Sequence, residues 1–249
     1  MTASRISPLD SPSLLKLFQA IANSDREFVE TLLATEPELV SAPIPVGASA
    51  QNAEQFFLTP IRHYIYAHDT ALHIAAAAFE ALLVKRLLKR GALVTARNRL
   101  GDMPLHYACD TNHESPARQA KTIHALVAGG ADLNGTNKHQ VTPLHRAVRT
   151  RSVAAVRALL KLGANVHCRN DSGSTPLHLA VQGTGRGGTG TPQSLQQQSQ
   201  IVQSLLQYGA SPSATDDKGR SVRQAARDAV SRQLLESLLA QPGQPFSAN

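Results

Sequence analysis

The chain has 249 residues, of which 42% are hydrophobic and 17% charged, a composition typical of folded rather than disordered proteins. Its two cysteines cannot form a disulfide framework, and no apolar run reaches the roughly 18–20 residues that cross a bilayer. The first residues lack the basic and apolar regions of a secretion signal, so we expect a soluble cytoplasmic protein without a membrane segment.

At the start of the chain, we expect residues 1–11 to be a disordered tail and residues 12–40 to form a cap of two short helices. An insertion over residues 41–66 follows. Its end holds four of the ten Phe and Tyr residues of the chain, namely Phe56, Phe57, Tyr64 and Tyr66. This aromatic cluster is either a contact surface for a partner or a cover for the open face of the next helices.

Four tetrads recur in the rest of the chain: TALH (70–73), MPLH (103–106), TPLH (142–145) and TPLH (175–178). A Gly-Ala pair follows each tetrad, starting at Gly91, Gly130, Gly163 and Gly209. The distance from each Gly to the next tetrad is 12 residues, if Ser221 begins a degenerate fifth tetrad. The distance from tetrad to Gly is 21, 27, 21 and 34 residues, so this half tolerates insertions around a base period of 33.

The half of variable length is predicted to form two short helices. Pro143 suits a first helical turn, and the apolar residues after it recur at helical spacing. Gly163 is placed to end the second helix in a left-handed conformation. The fixed half is rich in Asn, Asp and Gly, which is typical of turns.

The T-P-L-H tetrad, the 33-residue period and the following Gly-Ala pair resemble the ankyrin repeat over about residues 13–240. The resemblance implies an all-α solenoid of stacked helix–turn–helix units with short β-hairpin fingers. It also implies that the tetrad histidines bond the tetrad hydroxyl and neighbouring backbone. The implied organisation is a single domain over 12–240 with repeats at about 67–98, 99–137, 138–170 and 171–216, a C-terminal cap over 217–240 and a tail over 241–249.

Positive charge is concentrated in residues 137–186, where eight Lys and Arg residues accompany one acid, Asp171. This local excess equals the +7 net charge of the whole chain. Within it, Arg146 occupies a row that holds Ile74, Tyr107 and Leu179 in the other repeats. A charge in a half-buried row requires either an ion pair, for which Asp110 is the expected partner, or an anionic ligand.

Metal and cofactor sites are not expected. Adjacent packed helices lie about 8–10 Å apart, so consecutive tetrad histidines cannot share a zinc ion. Cys109 is interpreted as a small buried residue, and Cys168 lies 59 residues further on without a C-x-x-C partner.

Two other segments allow different functions. The Gly-rich segment 184–190 can present backbone amides to an anion, with Arg186, Gly187 and Gly188 as its binding residues, or it can be a flexible linker with a Gln-rich tail. His63, His68 and Asp69 can form an acid–base constellation, which makes an enzyme with a pocket at residues 56–69 an alternative.

The function we expect is that of a non-enzymatic, monomeric protein-interaction module whose partner carries an acidic segment. The alternative is a small anionic ligand or a nucleic acid bound by the basic patch 137–186 and the Gly-rich segment. The residues expected to contact the partner are Tyr66, Arg99, Leu100, Tyr107, Asp110, Lys138, His139, Arg146, Arg149 and Thr150.

Overall fold

The computed structural model describes residues 12–110, 115–183 and 190–240. The predicted anion-binding residues Arg186, Gly187 and Gly188 lie outside the described residues. The chain divides into two compact units, which are treated separately below. The first unit comprises residues 12–108 and 117–132; the second comprises the described residues of 109–116 and 133–240. The single domain and repeat boundaries expected from the sequence stay predictions.

The first unit contains three pairs of helices: α1 (Pro12–Ala22) with α2 (Arg26–Thr35), α3 (Ala71–Ala77) with α4 (Ala81–Lys89), and α5 (Pro104–Tyr107) with α6 (Pro116–Ala128). The inner helices α1, α3 and α5 pack side by side in that order. Their contact surface is formed by fully buried Leu, Ile and Phe side chains, including Phe18, Leu72 and Leu105. Burial of such side chains is the main stabilising contribution, about 1.5–3 kcal/mol for each large one.

The second unit repeats this arrangement with α7 (Pro143–Arg149), α8 (Val153–Lys161), α9 (Pro176–Ala180), α10 (Pro192–Gln207), α11 (Val222–Ala225) and α12 (Ala229–Ala240). Helix α7 packs on α8 and α9, and α9 packs on α11. The outer helix α10 packs on both α8 and α12. The helix pairs predicted from the repeat pattern are therefore confirmed in each unit.

Each tetrad builds the start of an inner helix. The Thr142 hydroxyl accepts a hydrogen bond from the His145 N–H at 3.3 Å, and the Thr142 N–H donates to His145 Nδ1 at 3.3 Å. Because Nδ1 accepts, Nε2 carries the proton and donates to a carbonyl oxygen of the next turn segment. The pairs that show this second bond are His73 with Asp102 (3.1 Å), His145 with Ser174 (3.0 Å) and His178 with Arg220 (3.3 Å). The packing role implied for these histidines is confirmed.

The segments of fixed length are tight turns rather than β-hairpins. In each, a backbone N–H bonds the carbonyl four residues ahead, and the side chain of the same residue accepts two backbone N–H groups. These turns are 98–102, 137–141, 170–174 and 216–220. Such short closures leave no room for a ladder, and the described chain shows only an isolated bridge there, between Thr215 and Ser221.

The two strands of the described chain lie instead in the insertion. β1 (Phe57–Leu58) and β2 (His63–Tyr64) pair antiparallel, among three 3₁₀ turns at Pro37–Val40, Ala53–Phe56 and Thr59–Ile61. The Ala48 N–H donates to the Ile65 carbonyl at 2.7 Å, and Ile65 and Phe56 are buried. Phe57 and Tyr64 form an exposed ring pair with centroids 4.8 Å apart. The insertion is therefore folded as a cover through Phe56, while one aromatic pair stays on the surface.

The longer repeats extend their outer helices at the N-terminal end. Helices α4 and α8 have 9 residues each, whereas α6 has 13 and α10 has 16. The Gln-rich stretch after the Gly-rich segment begins helix α10, so its interpretation as the tail of a flexible linker is wrong. Gln, Ser and Leu there continue the apolar pattern of the outer helix, which packs on its neighbours.

A buried glutamine compensates for each extension. In the short repeats, the N–H of Glu80 and of Ser152 donates to the carbonyl of Ala75 and Ala147, respectively. In the long repeats, the equivalent carbonyls belong to Ala108 and Ala180. They accept instead from the side-chain amides of Gln119 and Gln198, each at 2.9 Å.

Candidate partner-binding surface and cavity

Three of the predicted contact residues lie together in the first unit, where a turn meets the insertion. The Arg99 guanidinium carbon lies 5.2 Å from the centre of the Tyr66 ring, and Arg99 Nη2 donates to the Ala48 carbonyl at 3.0 Å. The Arg99 N–H donates to the Ala67 carbonyl at 2.8 Å, which fixes the turn beside the insertion. Arg99 is exposed, and Tyr66 and Leu100 are half-buried. These three side chains form a small cationic and aromatic surface.

Tyr107, in contrast, is a core residue, which corrects its predicted place on the binding surface. Its side chain is fully buried, and its hydroxyl donates to Asp69 Oδ2 at 3.0 Å and accepts from Asn98 Nδ2 at 2.9 Å. The His63 ring packs on it edge-on, with centroids 4.4 Å apart. A hydroxyl held by two buried polar groups anchors the core rather than a partner.

Asp69 is fully buried beside Tyr107. Its carboxylate also accepts from the Tyr66 N–H at 2.7 Å and from Asn98 Nδ2 at 3.1 Å. Burial raises the pKa of Asp69 from 3.8 to about 7, against these three hydrogen bonds, which lower it. His68 is exposed in a left-handed conformation. The suggested acid–base constellation is therefore split between a buried carboxylate and a surface imidazole.

Arg146 forms the expected ion pair with Asp110 in the second unit. Arg146 Nε donates to Asp110 Oδ1 at 2.6 Å and Nη2 to Oδ2 at 3.1 Å, a two-point contact between side chains that are 15% and 21% exposed. The Thr150 hydroxyl donates to the Cys109 carbonyl at 2.8 Å. These contacts give Arg146, Asp110 and Thr150 a structural role within the unit.

The remaining predicted residues of the second unit are solvent-exposed. Lys138 and Arg149 are exposed and form no ion pair with a carboxylate in the described part of the chain. His139 Nδ1 lies 3.4 Å from Asp171 Oδ2, also at the surface. Helix α7 separates Lys138, in the turn before it, from Arg149 at its end. Seven helical residues make this separation about 10 Å.

A cavity of about 380 Å³ adjoins Arg149. It lies between the α7–α8 turn and the first turns of α10. Its lining residues are Arg149, Thr150, Arg151, Thr191, Gln193, Ser194 and Gln197. Only Arg149 and Thr150 were predicted, because the other lining residues depend on an extended α10 whose start the repeat pattern does not give. The length of the insertion is the signal that points to them.

No group of three or more His, Cys, Asp or Glu side chains suited to a metal ion occurs among the described residues. Cys109 is buried, and burial raises the pKa of its thiol well above the usual value. Cys168 is half-buried. Across residues 12–110, 115–183 and 190–240, none of the helices combines the length and the apolar character needed to cross a bilayer.

Paired helices, capped by a recurrent tetrad and joined by side-chain-closed turns, define a helical repeat protein. The family model "Ankyrin repeat" matches residues 68–99, 100–138 and 172–217, and the model "Ankyrin repeats (many copies)" matches residues 126–180. Together these matches cover more than half of the chain. The chain belongs to the ankyrin repeat family, and its fold class is the mostly helical ankyrin solenoid.

Two larger proteins are similar to part of the chain. The "Transient receptor potential cation channel subfamily A member 1 homolog" of Caenorhabditis elegans is 35% identical over 132 residues, covering 46% of this chain and 10% of that protein. The "B-cell lymphoma 3 protein homolog" of Mus musculus is 33% identical over 82 residues, covering 33% of this chain and 18% of that protein. The chain thus matches less than a fifth of the length of either relative.

Proposed function

We propose that this chain is a non-enzymatic protein-interaction module whose second unit binds an acidic segment of a partner protein. Ankyrin repeats are protein–protein interaction modules, which gives the general class of function. The observation that carries the finer proposal is the unpaired positive charge at the two ends of α7, on Lys138 and Arg149. We call these two residues the basic face.

The arginines of the first unit are used differently. Arg86 and Arg90 both pair with Glu30, and Arg118 pairs with Glu80 at 2.6 Å. In the second unit, Arg146 is consumed by Asp110, whereas the basic face has no such partner in the described chain. Charges that are not neutralised within the protein are available to attract an acidic partner and to accelerate its association.

The spacing of the basic face sets the size of the matching segment. About 10 Å corresponds to three residues of an extended peptide at about 3.3 Å each. A segment with acidic residues at its first and fourth positions would therefore place one carboxylate at each end of α7. Because both cations are exposed, their contribution appears mainly in the association rate and its dependence on salt.

The test uses a fluorescently labelled peptide of twelve glutamates and measures its binding by anisotropy at 20 mM and 150 mM NaCl, probe concentrations of salt that bracket the screening range. We expect the double variant Lys138→Glu/Arg149→Glu to weaken binding at least tenfold at low salt. The matched control is Arg157→Glu/Lys161→Glu, which makes the same charge change on the exposed side of α8. We expect this control to lose much less.

Equal losses in the two double variants would mean that net charge, and not the basic face, governs binding. A duplex and a single-stranded DNA oligonucleotide of the same charge serve as competitors in the same assay. Displacement of the peptide by DNA at far lower concentrations than by unlabelled peptide would favour the nucleic-acid alternative instead.

A further inference from the structure

The cavity beside Arg149 holds two guanidinium groups and no carboxylate among its lining residues. Arg149 has no ion pair in the described chain. Arg151 Nη2 donates to the Gln182 carbonyl at 3.1 Å, a neutral partner that leaves its charge uncompensated. Arg151 is partly buried, and this burial lowers the pKa of its guanidinium from the usual value. A desolvated cation gains most from an anion that bonds it directly.

The hydrogen-bonding groups of the cavity divide into those in use and those that remain. The Ser194 hydroxyl donates to the Thr191 carbonyl at 2.8 Å, and the Ser194 N–H donates to the Thr191 hydroxyl at 3.2 Å. The side-chain amides of Gln193 and Gln197 make no hydrogen bond within the described residues. The donors left facing the cavity are therefore two guanidinium groups and two amides.

Such a donor set matches a phosphoryl group better than a single carboxylate. A phosphate monoester carries a charge of about −1.5 to −2 at pH 7 and three acceptor oxygens, so it can bond two guanidinium groups and an amide at once. A volume of about 380 Å³ corresponds to roughly a dozen water molecules at about 30 Å³ each. The cavity can therefore admit a phosphoryl group together with the chain that carries it.

The cavity is a product of the long insertion in this repeat. Gln193, Ser194 and Gln197 precede Gln198, which is equivalent to the first residues of the outer helices in the short repeats. Without the extra turns of α10, the wall opposite Arg149 and Arg151 would be missing. The second unit also contains the basic face, and Arg149 belongs to both the face and the cavity.

We propose that the cavity binds the phosphorylated side chain of a Ser or Thr in the acidic segment of the partner protein, through Arg149, Arg151 and the amides of Gln193 and Gln197. This inference rests on the proposed function and makes it specific, since the basic face would hold the flanking acids. Phosphorylation of the partner would then control the interaction.

The test compares three labelled peptides that are identical except at one position: Glu-Asp-X-Glu-Asp with X as phosphoserine, serine or glutamate. We expect the phosphoserine peptide to bind wild-type protein at least tenfold more tightly than either other peptide. Arg151→Gln should remove most of this preference, whereas Arg157→Gln, on the exposed side of α8, should preserve it.

A second pair of variants avoids any loss of packing. Gln197→Glu places a negative charge in the cavity, and Gln196→Glu places the same charge at an exposed neighbouring position outside it. We expect only Gln197→Glu to abolish the preference for phosphoserine. If both variants behave alike, or if wild type binds the three peptides equally, the cavity does not recognise phosphate.

Free O-phosphoserine and inorganic phosphate are added as competitors to distinguish the source of the phosphoryl group. Competition by either at the same concentration as the phosphopeptide would indicate a small-molecule site and overturn the assignment to a partner protein. Equal binding of all three peptides, with weakening by Lys138→Gln, would overturn this inference and leave the proposed function standing. Absence of binding by every peptide at low salt would overturn both.

Discussion

Buried ionisable side chains make the stability of this protein depend on pH in two opposite ways. Burial lowers the pKa of His73 from 6.5 to about 4, and burial also lowers the pKa values of His145 and His178. Burial raises the pKa of Asp69 to about 7. Between pH 4 and 6.5, the unfolded histidines bind protons that the folded ones exclude, so the histidines favour folding more as pH rises. Asp69 acts in the opposite direction, because the folded carboxyl retains a proton that the unfolded one releases.

Three imidazoles oppose one carboxyl, so we predict that the free energy of unfolding rises as pH increases from about 4 to 6.5. Asp69→Asn removes the opposing contribution and should make this rise steeper, whatever it does to stability at a single pH. Urea denaturation at several values across this range measures both slopes.

Glu38→Gln, which removes an exposed carboxylate in the first unit, is the control and should leave the slope as in wild type. A slope that is unchanged in Asp69→Asn would show that this carboxyl titrates in the same way in the folded and unfolded states.

The sequence predicts the roles of single residues well where the repeat repeats them. The tetrad histidines and the Arg146–Asp110 pair are found as expected, because each depends on contacts between equivalent positions of successive repeats. Tyr107 was misplaced because its hydroxyl finds partners in Asp69 and Asn98, residues outside its own helix. Gln140 adopts the left-handed conformation that Gly101 and Gly173 adopt in other turns, at a cost of about 1–2 kcal/mol that sequence spacing does not reveal.

At the scale of elements, each helix pair must satisfy the carbonyl groups at the end of its short inner helix. A backbone N–H does so for Ala75 and Ala147, and a glutamine amide does so for Ala108 and Ala180. The glutamine allows the outer helix to begin several residues earlier without leaving a buried carbonyl unpaired. Insertions at this point therefore become additional helical turns, of which those in α10 wall the cavity.

We predict that Gln198→Leu destabilises the protein by about 1–2 kcal/mol, because the Ala180 carbonyl loses its donor in a buried environment. The loss is not larger because Gln198 Oε1 has no partner within the described chain, and leucine removes that unpaired acceptor as well. The midpoint of urea denaturation gives the change.

Gln196→Ala, at an exposed position of the same helix, should change stability by no more than about 0.5 kcal/mol. If Gln198→Leu proves as neutral as this control, the amide does not replace the backbone donor in the energetic sense that its geometry indicates.

The elements themselves were largely predictable, since tetrads, glycines and apolar spacing locate helix starts and ends. The fingers were not predicted correctly as β-hairpins, because an Asn or Asp side chain closes each turn before a ladder can form. The start of α10 was missed for a different reason. Gln and Ser are common in linkers, and their helical conformation here follows from packing on α8 and α12.

For the molecule as a whole, the main electrostatic feature is that the +7 net charge is carried by residues 137–186. Two of these cations, Arg157 and Lys161, lie four residues apart on the exposed side of α8 and repel each other. Local repulsion of this kind is a cost to stability that a binding surface can retain because an anionic partner relieves it.

We predict that Arg157→Glu stabilises the protein by about 0.5 kcal/mol at low salt, because it converts a repulsive pair into a favourable one with the acid N-terminal to the base. Lys161→Glu changes the net charge equally but places the acid in the last turn, where the helix dipole opposes it, so it should stabilise less. Urea denaturation of both variants at low and high NaCl provides the comparison, and the difference from wild type should shrink as salt screens the charges. Equal stabilisation by the two variants would instead assign the effect to the net charge of the chain, since only a local interaction distinguishes the two positions.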